Sequence, residues 1–377
     1  VAQNFLKMLY GAMDELAVGD PCDFLTDVGP IIDVNAAGKI RAYIDLAKSQ
    51  DRLLKQVSAP DHATFIAPSV VSVSGIEQLE EEIFGPVLHV ATYASGDLDK
   101  VIDAVNAKGY GLTFGLHSRI DDRVQHIIDR VKAGNIYINR NQIGAVVGSQ
   151  PFGGEGLSGT GPKAGGPRYL DRFMKTELRS APDVDGAVVS AAAVEDAFAG
   201  LEAKASKETP PREMPGPTGE SNVLYLEPRG VLVCFADKDV TFEYWTLSIV
   251  TALATGNTVI SVVSDVFYEE ALAFRDKFMA TGAPHGVFQV VHLRHLQALL
   301  EEPKLAGVVI DSNSERSAYI ANLLARREGA ILPVITAEYN DNLIQRVLCE
   351  KTISIDTTAS GGNTSLMTLV EDEELLY

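Results

Sequence analysis

Cysteine and basic residues are both scarce in this chain of 377 residues, and each shortage removes a class of function. The three cysteines, Cys22, Cys234 and Cys349, have no repeating spacing, so neither a disulfide framework nor a thiolate zinc cluster is indicated; a reduced compartment fits. Lys and Arg number 32 against 51 Asp and Glu, a formal net charge of −19. Binding nucleic acid by counterion release needs a basic face, and no run of Lys and Arg provides one. No apolar run approaches the length that spans a bilayer, and the first residues lack the basic-then-apolar pattern of a secretory signal. These absences predict a cytoplasmic protein that binds neither nucleic acid nor membrane.

What is present suffices for a large core: 46% of residues are hydrophobic, and a chain of this length divides into two or three domains. A helical pattern, Phe5, Leu6, Met8, Leu9, Met13 and Leu16, begins at once with no Met before Val1, which suggests a fragment. Over residues 1–180 helical patterns alternate with short apolar runs such as 87–91 and 135–138, the rhythm of an α/β domain. Residues 181–222 change character: an Ala- and Glu-rich stretch, read as a helix, runs into 204–219, too rich in Pro and Gly for a regular element and read as a linker. Beyond it, 230–236, 259–263, 287–291 and 306–310 are buried-strand runs separated by helical segments. They predict a second, parallel, Rossmann-like α/β domain over 223–350. The β-branched, Gly-rich stretch 352–364 predicts an extended arm within a terminal motif and tail over 351–377, with 371–374 a frayed acidic end.

Four motifs, in one order, carry a resemblance. Glu81-Glu-Ile-Phe-Gly-Pro-Val87 is placed where a helical segment meets a strand; alone it reads equally as an acidic helix end before a turn. It follows Val18-Gly-Asp-Pro-Cys-Asp-Phe-Leu-Thr-Asp-Val-Gly-Pro30 and precedes Tyr110-Gly-Leu-Thr-Phe-Gly-Leu-His117 and Ala133-Gly-Asn-Ile-Tyr-Ile-Asn139. Together they resemble the aldehyde dehydrogenase catalytic domain after its nucleophile, over most of residues 1–175. The resemblance implies that Glu82 hydrogen-bonds the nicotinamide ribose of NAD and that Phe84 packs near the nicotinamide. A carboxylate suits a diol because it only accepts, and two vicinal hydroxyls need only an acceptor. The other acids of 77–82 read as a solvated helix face.

Pro151-Phe-Gly-Gly-Glu-Gly-Leu-Ser-Gly-Thr-Gly-Pro-Lys-Ala-Gly-Gly-Pro-Arg-Tyr-Leu170, followed by Phe173, has the composition of a surface turn, but its length and its Phe-Gly-Gly start resemble the aldehyde-anchor loop of glutamate semialdehyde dehydrogenases. That resemblance implies that the amides of Gly165 and Gly166 receive the substrate's α-carboxylate. It also implies that Phe173 lines the aliphatic part and that Ser158, with Thr160, shapes the loop around the substrate. Successive amides without Cβ atoms can converge on one anion with no basic side chain. Family catalysis further uses a Cys thiolate, hydride transfer to NAD and a Glu that activates water. The resemblance puts that Cys and Glu in segments preceding Val1. Cys22 sits in an acidic turn, Cys234 in a buried-strand pattern and Cys349 in no matching motif, so the chain alone is expected to be inactive.

Ala252-Leu-Ala-Thr-Gly-Asn-Thr-Val-Ile260 resembles the family's cofactor-domain segment, yet Val262 stands where the family has the Lys that holds the adenosine ribose. The Gly turn expected at the pyrophosphate reads Asp311-Ser-Asn-Ser-Glu-Arg-Ser317, and a nearby carboxylate opposes phosphate binding. A degenerate cofactor domain placed after a catalytic one, together with 215–222 and 354–368, resembles the bacterial proline utilisation A family. This resemblance implies a homo-oligomeric parent that oxidises glutamate semialdehyde (1-pyrroline-5-carboxylate) to glutamate with NAD, fed by an FAD-bearing proline dehydrogenase module. The competing reading gives 223–369 a non-catalytic role, covering a substrate-channelling tunnel or supporting oligomerisation. His292 and His295 could share a helical face, but no Cys or carboxylate nearby completes a shell, so no metal is expected.

Overall fold

A computed structural model of the chain describes residues 1–159, 161–170, 173, 210–284, 286–311, 314–336 and 342–358. Thr160, the expected helix at the start of 181–222, the arm beyond 358 and the acidic tail lie outside the described residues. The chain forms two compact units, Val1–Lys108 and Gly109–Tyr377, a division that falls inside the expected catalytic portion.

The first unit opens with α1 (Ala2–Asp14), whose Met13 is buried while Phe5 and Met8 stay exposed. Asp33 caps α2 (Val34–Ser49) by accepting from the Ala36 amide at 2.8 Å. Ala37, Ile40 and Ile44 recur on one face of α2 and pack on Ile66, with Ile31, Leu53, Ile83 and Val87 around them. A small sheet runs in the order β1 (Leu53–Gln56), β2 (Ser69–Ser72), β3 (Val87–Val90), antiparallel then parallel, and α3 (Leu98–Ala107) follows. Residues 77–82 are not the helix face the sequence suggests: one 3-10 turn, Ile76–Gln78, gives way to irregular chain before Pro86. Like charges four residues apart, Glu77 and Glu81, oppose a helix there.

The second unit begins with β4 (Tyr110–Gly111), β5 (Thr113–Leu116), α4 (Asp121–Arg130) and β6 (Asn135–Ile138). Every residue of β6 is buried, so it needs a neighbour on both edges. One is β5; the other comes from the far end of the chain. After β7 (Glu155–Gly156), a hairpin forms from β8 (Arg212–Met214) and β9 (Glu220–Pro228). Its first strand lies inside the stretch read as linker: three residues free of Pro and Gly, between Pro211 and Pro215, pair along an edge, where proline is tolerated at strand ends.

A parallel sheet follows, from β10 (Val231–Ala236), α5 (Phe242–Ala254), β11 (Thr258–Val263), α6 (Tyr268–Ala280), β12 (Phe288–His292), α7 (Leu296–Leu300), β13 (Leu305–Ile310), α8 (Ser317–Ala325) and β14 (Val334–Thr336). Its order is β12-β11-β10-β13-β14, with each pair parallel, a Rossmann-like doubly wound arrangement as the buried-strand runs predict. Both faces are covered. Leu232, Cys234 and Ala236 of β10 pack with Trp245, Ile249 and Phe274 of α5 and α6, while Val233 and Phe235 pack with Leu296, Ile320 and Leu324 of α7 and α8. The chain then passes through α9 (Asn342–Arg346) into β15 (Leu348–Asp356), which pairs antiparallel with β9 and, through Thr352–Ile355, parallel with β6. The sheet order β5-β6-β15-β9-β8 therefore joins strands separated by more than half the chain.

His292 and His295 do not share a helical face: His292 ends β12, and His295 closes a 3-10 turn, Leu293–His295. A carboxylate remote in sequence, Asp265, lies 2.5 Å from His292 Nε2. The described residues hold no group of three or more His, Cys, Asp or Glu arranged for a metal, and among them no helix is long and apolar enough to cross a membrane.

Candidate functional site

The Gly-rich loop is fastened at its base. Phe152 and Ala164 exchange both backbone hydrogen bonds, at 3.0 and 2.9 Å, so the loop leaves and returns at one point. Asn135, at the start of β6, accepts from the Gly153 amide at 3.1 Å and donates to the Pro151 carbonyl at 2.8 Å. The Lys163 side chain, 2% exposed, crosses the same base: its ammonium donates to the carbonyls of Gly134 (2.7 Å) and Gly153 (2.5 Å) and to Asn135 Oδ1 (2.9 Å). From β15, Glu350 Oε2 accepts from the Lys163 amide at 2.8 Å and the Thr352 hydroxyl donates to Pro151 at 2.9 Å. A side chain at Gly134 would destroy this closeness, since its Cβ would lie 2.0 Å from the Gly153 carbonyl oxygen.

Charge is buried here at a cost. Burial pushes the Lys163 ammonium down to about 8, against the attraction of Glu350 and Glu155. Burial also raises the Glu155 carboxyl, a shift opposed by Lys351 and Lys163, and Oε1 of both Glu155 and Glu350 is buried without a hydrogen-bond partner. Three donated bonds satisfy the ammonium, which is why it can remain inside.

Beyond the base, Lys163 to Gly166 form a turn: Gly165 has φ +68°, and the Gly166 amide donates to the Lys163 carbonyl at 3.1 Å. Gly165 N–H has no acceptor among the described residues. Of the two amides marked by the sequence, Gly165 is thus the unengaged one, while Gly166 is held by the turn. Ser158 ties the loop to β4: its Oγ accepts from the Gly111 amide at 3.3 Å. Phe173 is 72% exposed, its ring edge against Tyr169 at 5.5 Å between centroids, so an apolar surface stands open after the loop.

In the first unit, Ile83 is anchored in the α2 core, and this turns its neighbours outward. Glu82 is exposed with no hydrogen-bond partner among the described residues, and Phe84 is 84% exposed. An unengaged acceptor thus lies two positions from an exposed aromatic ring.

The crevice at the strand-order reversal of the parallel sheet, where such folds take ligands, is arranged differently. Asp237, just past β10, is bonded to Arg316 Nε at 2.5 Å, and Asp239 accepts from the Glu315 amide at 2.7 Å. Burial would raise the Asp237 carboxyl, but hydrogen bonds from Arg316 and the Lys238 amide outweigh it and hold the group low. Val262 is wholly buried among Val233, Phe235 and Leu296. Carboxylates at this strand end, one of them ion-paired with Arg316, do not suit a pyrophosphate. Among the cysteines, Cys234 is buried and its thiol strongly raised by burial, Cys349 is pushed up to about 11 by burial and then by Glu155, and Cys22 is exposed.

A family model described as the aldehyde dehydrogenase family matches residues 1–178 and 179–336. The chain belongs to the aldehyde dehydrogenase family. It is 35% identical over 404 aligned residues to the bifunctional protein PutA of Salmonella typhimurium LT2, covering 98% of this chain and 30% of that protein. It is also 40% identical over 183 residues to a 1-pyrroline-5-carboxylate dehydrogenase of Geobacillus sp. WCH70, covering 48% of this chain and 35% of that one. The chain thus spans about a third of the length of these curated relatives. The structure of proline utilization A from Corynebacterium freiburgense shares the fold over 94% of this chain and 34% of its own, with a TM-score of 0.62 at 20% identity.

Against the family's motifs, the sequence reading missed the residues that hold the loop. Lys163 and Asn135 lie inside the quoted motifs, but a lysine among glycines gives no sign that it is buried. Glu350 has no local signal at all, because its partner is 187 positions away.

Proposed function

We propose that residues 1–180 supply the substrate-anchoring loop and part of the nicotinamide pocket of an NAD-dependent L-glutamate γ-semialdehyde dehydrogenase acting in bacterial proline catabolism. The observation that carries this reading is the turn at Gly165: an amide without an acceptor, at a positive φ, on a loop whose base is fixed. An α-carboxylate is the ligand such an amide takes without help from a basic side chain. Gly166 N–H, bonded to the Lys163 carbonyl, fixes the turn beside that amide, and Phe173 offers its exposed ring to the aliphatic chain. Glu82 would accept from the ribose hydroxyls and Phe84 would pack against the nicotinamide. NAD, when bound, accepts the hydride. The relative named as a 1-pyrroline-5-carboxylate dehydrogenase supports the substrate class, and the relative named as bifunctional PutA supports a larger parent enzyme; that this parent is homo-oligomeric and cytoplasmic, with FAD in a proline dehydrogenase module, belongs to the same proposal.

None of the three cysteines is placed as the nucleophile, so residues 1–377 alone are expected to be inactive. Residues 223–350 form a degenerate cofactor domain, a reading supported by buried Val262 and the Asp237–Arg316 pair. Its role is structural, which the pairing of β15 with β6 favours. The test is Gly166→Val in the full-length enzyme. A Cβ at Gly166 already meets the Lys163 carbonyl at 3.0 Å and Pro151 Cβ at 3.1 Å, so valine displaces the turn. KM for glutamate semialdehyde is expected to rise far more than KM for an uncharged aldehyde. Equal effects on both substrates would rule out carboxylate binding at this turn.

A further inference from the structure

Lys163 and Glu350 have no part in the chemistry proposed above, yet both are buried and charged, and both attach to the anchor loop. Lys163 joins the start of the loop (Gly153), its end (Lys163 itself) and the chain entering β6 (Gly134, Asn135) in one three-bond knot. Glu350 is 7% exposed, and among the described residues it accepts one hydrogen bond from the loop, that of the Lys163 amide, with its second oxygen left without a partner. A carboxylate buried this way is a poor contributor to stability; its effect is to fix one backbone amide in place. That amide is two residues before Gly165.

We propose that Lys163 and Glu350 are positioning residues for substrate: Lys163 holds the two ends of the anchor loop on β6, and Glu350 makes the orientation of the Gly165–Gly166 amides depend on strand β15. The proposal rests on the carboxylate-anchoring reading. It adds that the degenerate domain's last strand is a working part of the substrate site, through a side-chain-to-backbone bond rather than through its sheet pairing alone. Burial disfavours the Lys163 charge, with Glu350 and Glu155 attracting it, Cys349 adding to the attraction and Lys351 opposing it, yet a neutral isostere would lose the bond to Gly153. Retention of an ammonium in such a place follows from a need for geometry.

The test uses the full-length enzyme with glutamate semialdehyde and an uncharged aliphatic aldehyde as paired substrates, and the variants Lys163→Met, Glu350→Ala and Glu350→Gln. Glutamine keeps an oxygen that accepts from the Lys163 amide; alanine does not. A displacement of the loop by about 1 Å is sufficient to cost on the order of tenfold to a hundredfold in a positioned contact. Lys163→Met and Glu350→Ala are expected to raise KM for glutamate semialdehyde by about tenfold or more. Under the same substitutions kcat for the uncharged aldehyde changes by less than about threefold, and Glu350→Gln stays near the parent. Equal losses on both substrates, an unchanged KM, or no rescue by glutamine would overturn the proposal. If Lys163→Met does not fold, the Glu350 pair decides it; if neither Lys163→Met nor Glu350→Ala folds, the residues are merely structural and the proposal fails. Gly166→Val run alongside separates the two levels: selectivity lost there but not at Lys163 or Glu350 sinks the positioning claim alone, and no selectivity at Gly166 sinks the anchoring reading beneath it.

Discussion

Replacing Lys163 by Met separates the charge of this side chain from its length. Its ammonium falls from the ordinary 10.5 to about 8, with burial the leading cause. Between those values the unfolded chain binds more protons than the folded one, so this group makes stability rise with pH across the window, and its cost is fully present below about pH 8. The span from 10.5 to about 8 corresponds to roughly 3 kcal/mol, of which about 2 kcal/mol is recovered by about pH 9.5. The Lys163→Met chain lacks this titration. It also leaves the Gly153 carbonyl without its donor, whereas Gly134 O still accepts from the Thr352 amide at 2.8 Å and Asn135 Oδ1 from the Gly153 amide at 3.1 Å. One orphaned carbonyl costs about 1–3 kcal/mol. At neutral pH that loss and the relief of burying no charge oppose each other, and the two chains are expected to unfold at similar urea concentrations. As pH rises toward about 9.5 the wild type pulls ahead by about 2 kcal/mol. Urea unfolding at a series of pH values, followed by circular dichroism on both chains in parallel, reads the difference, in which the other titrating groups cancel. Stability curves that stay parallel across the series would refute a buried, charged Lys163.

Gly134→Ala places a Cβ 2.0 Å from the Gly153 carbonyl oxygen, a backbone atom that moves only if the loop base moves. In the full-length enzyme kcat/KM for glutamate semialdehyde is expected to fall by about a hundredfold; a change of less than about twofold would show that the base does not set the loop. In the parallel sheet, Trp245 Nε1 donates to Ser261 Oγ at 2.7 Å with both residues fully buried. Ser261→Ala is expected to lower stability by about 1–3 kcal/mol, read as the urea midpoint, and an unchanged midpoint would mean that the indole finds another acceptor.

What was legible in the sequence follows from how local each signal is. The strands β10 and β13 were readable because a strand covered on both faces is apolar throughout, and 231–236 and 305–310 have that form without reference to the rest of the chain; β11 and β12 keep enough of it despite Ser261 and Gln289. The anchor loop was readable as a Gly-rich segment of unusual length. The sequence could not show which of its residues is structural, because the contacts that decide it run from Lys163 to Asn135, 28 positions back, and to Glu350, 187 positions on. The edge strand Arg212–Met214 was hidden by its prolines, which mark a linker by composition and bound a short strand by geometry. The acidic stretch 77–82 misled in the other direction, since a helix-favouring composition does not survive like charges on one face and a proline close behind.

The proposed catalytic role of the first part and the proposed covering role of the second are compatible in one sheet. Strand β6 carries Asn135 at its start and is buried throughout, so one edge of it must be closed by something other than β5. Residues Thr352 to Ile355 close it, in parallel register from Asn135 to Ile138. The same strand that satisfies those backbone groups sends Thr352 Oγ1 to Pro151 and Glu350 Oε2 to Lys163, at the two ends of the loop base. A domain that only covered the site would need the sheet pairing and nothing more. Glu350 is buried with half of its carboxylate unsatisfied, a feature that pairing does not require and loop geometry does. On the reading proposed above, a second domain without its cofactor residues keeps a task at the loop base through β15, beside the bond of Arg168 to the Gln345 carbonyl of α9.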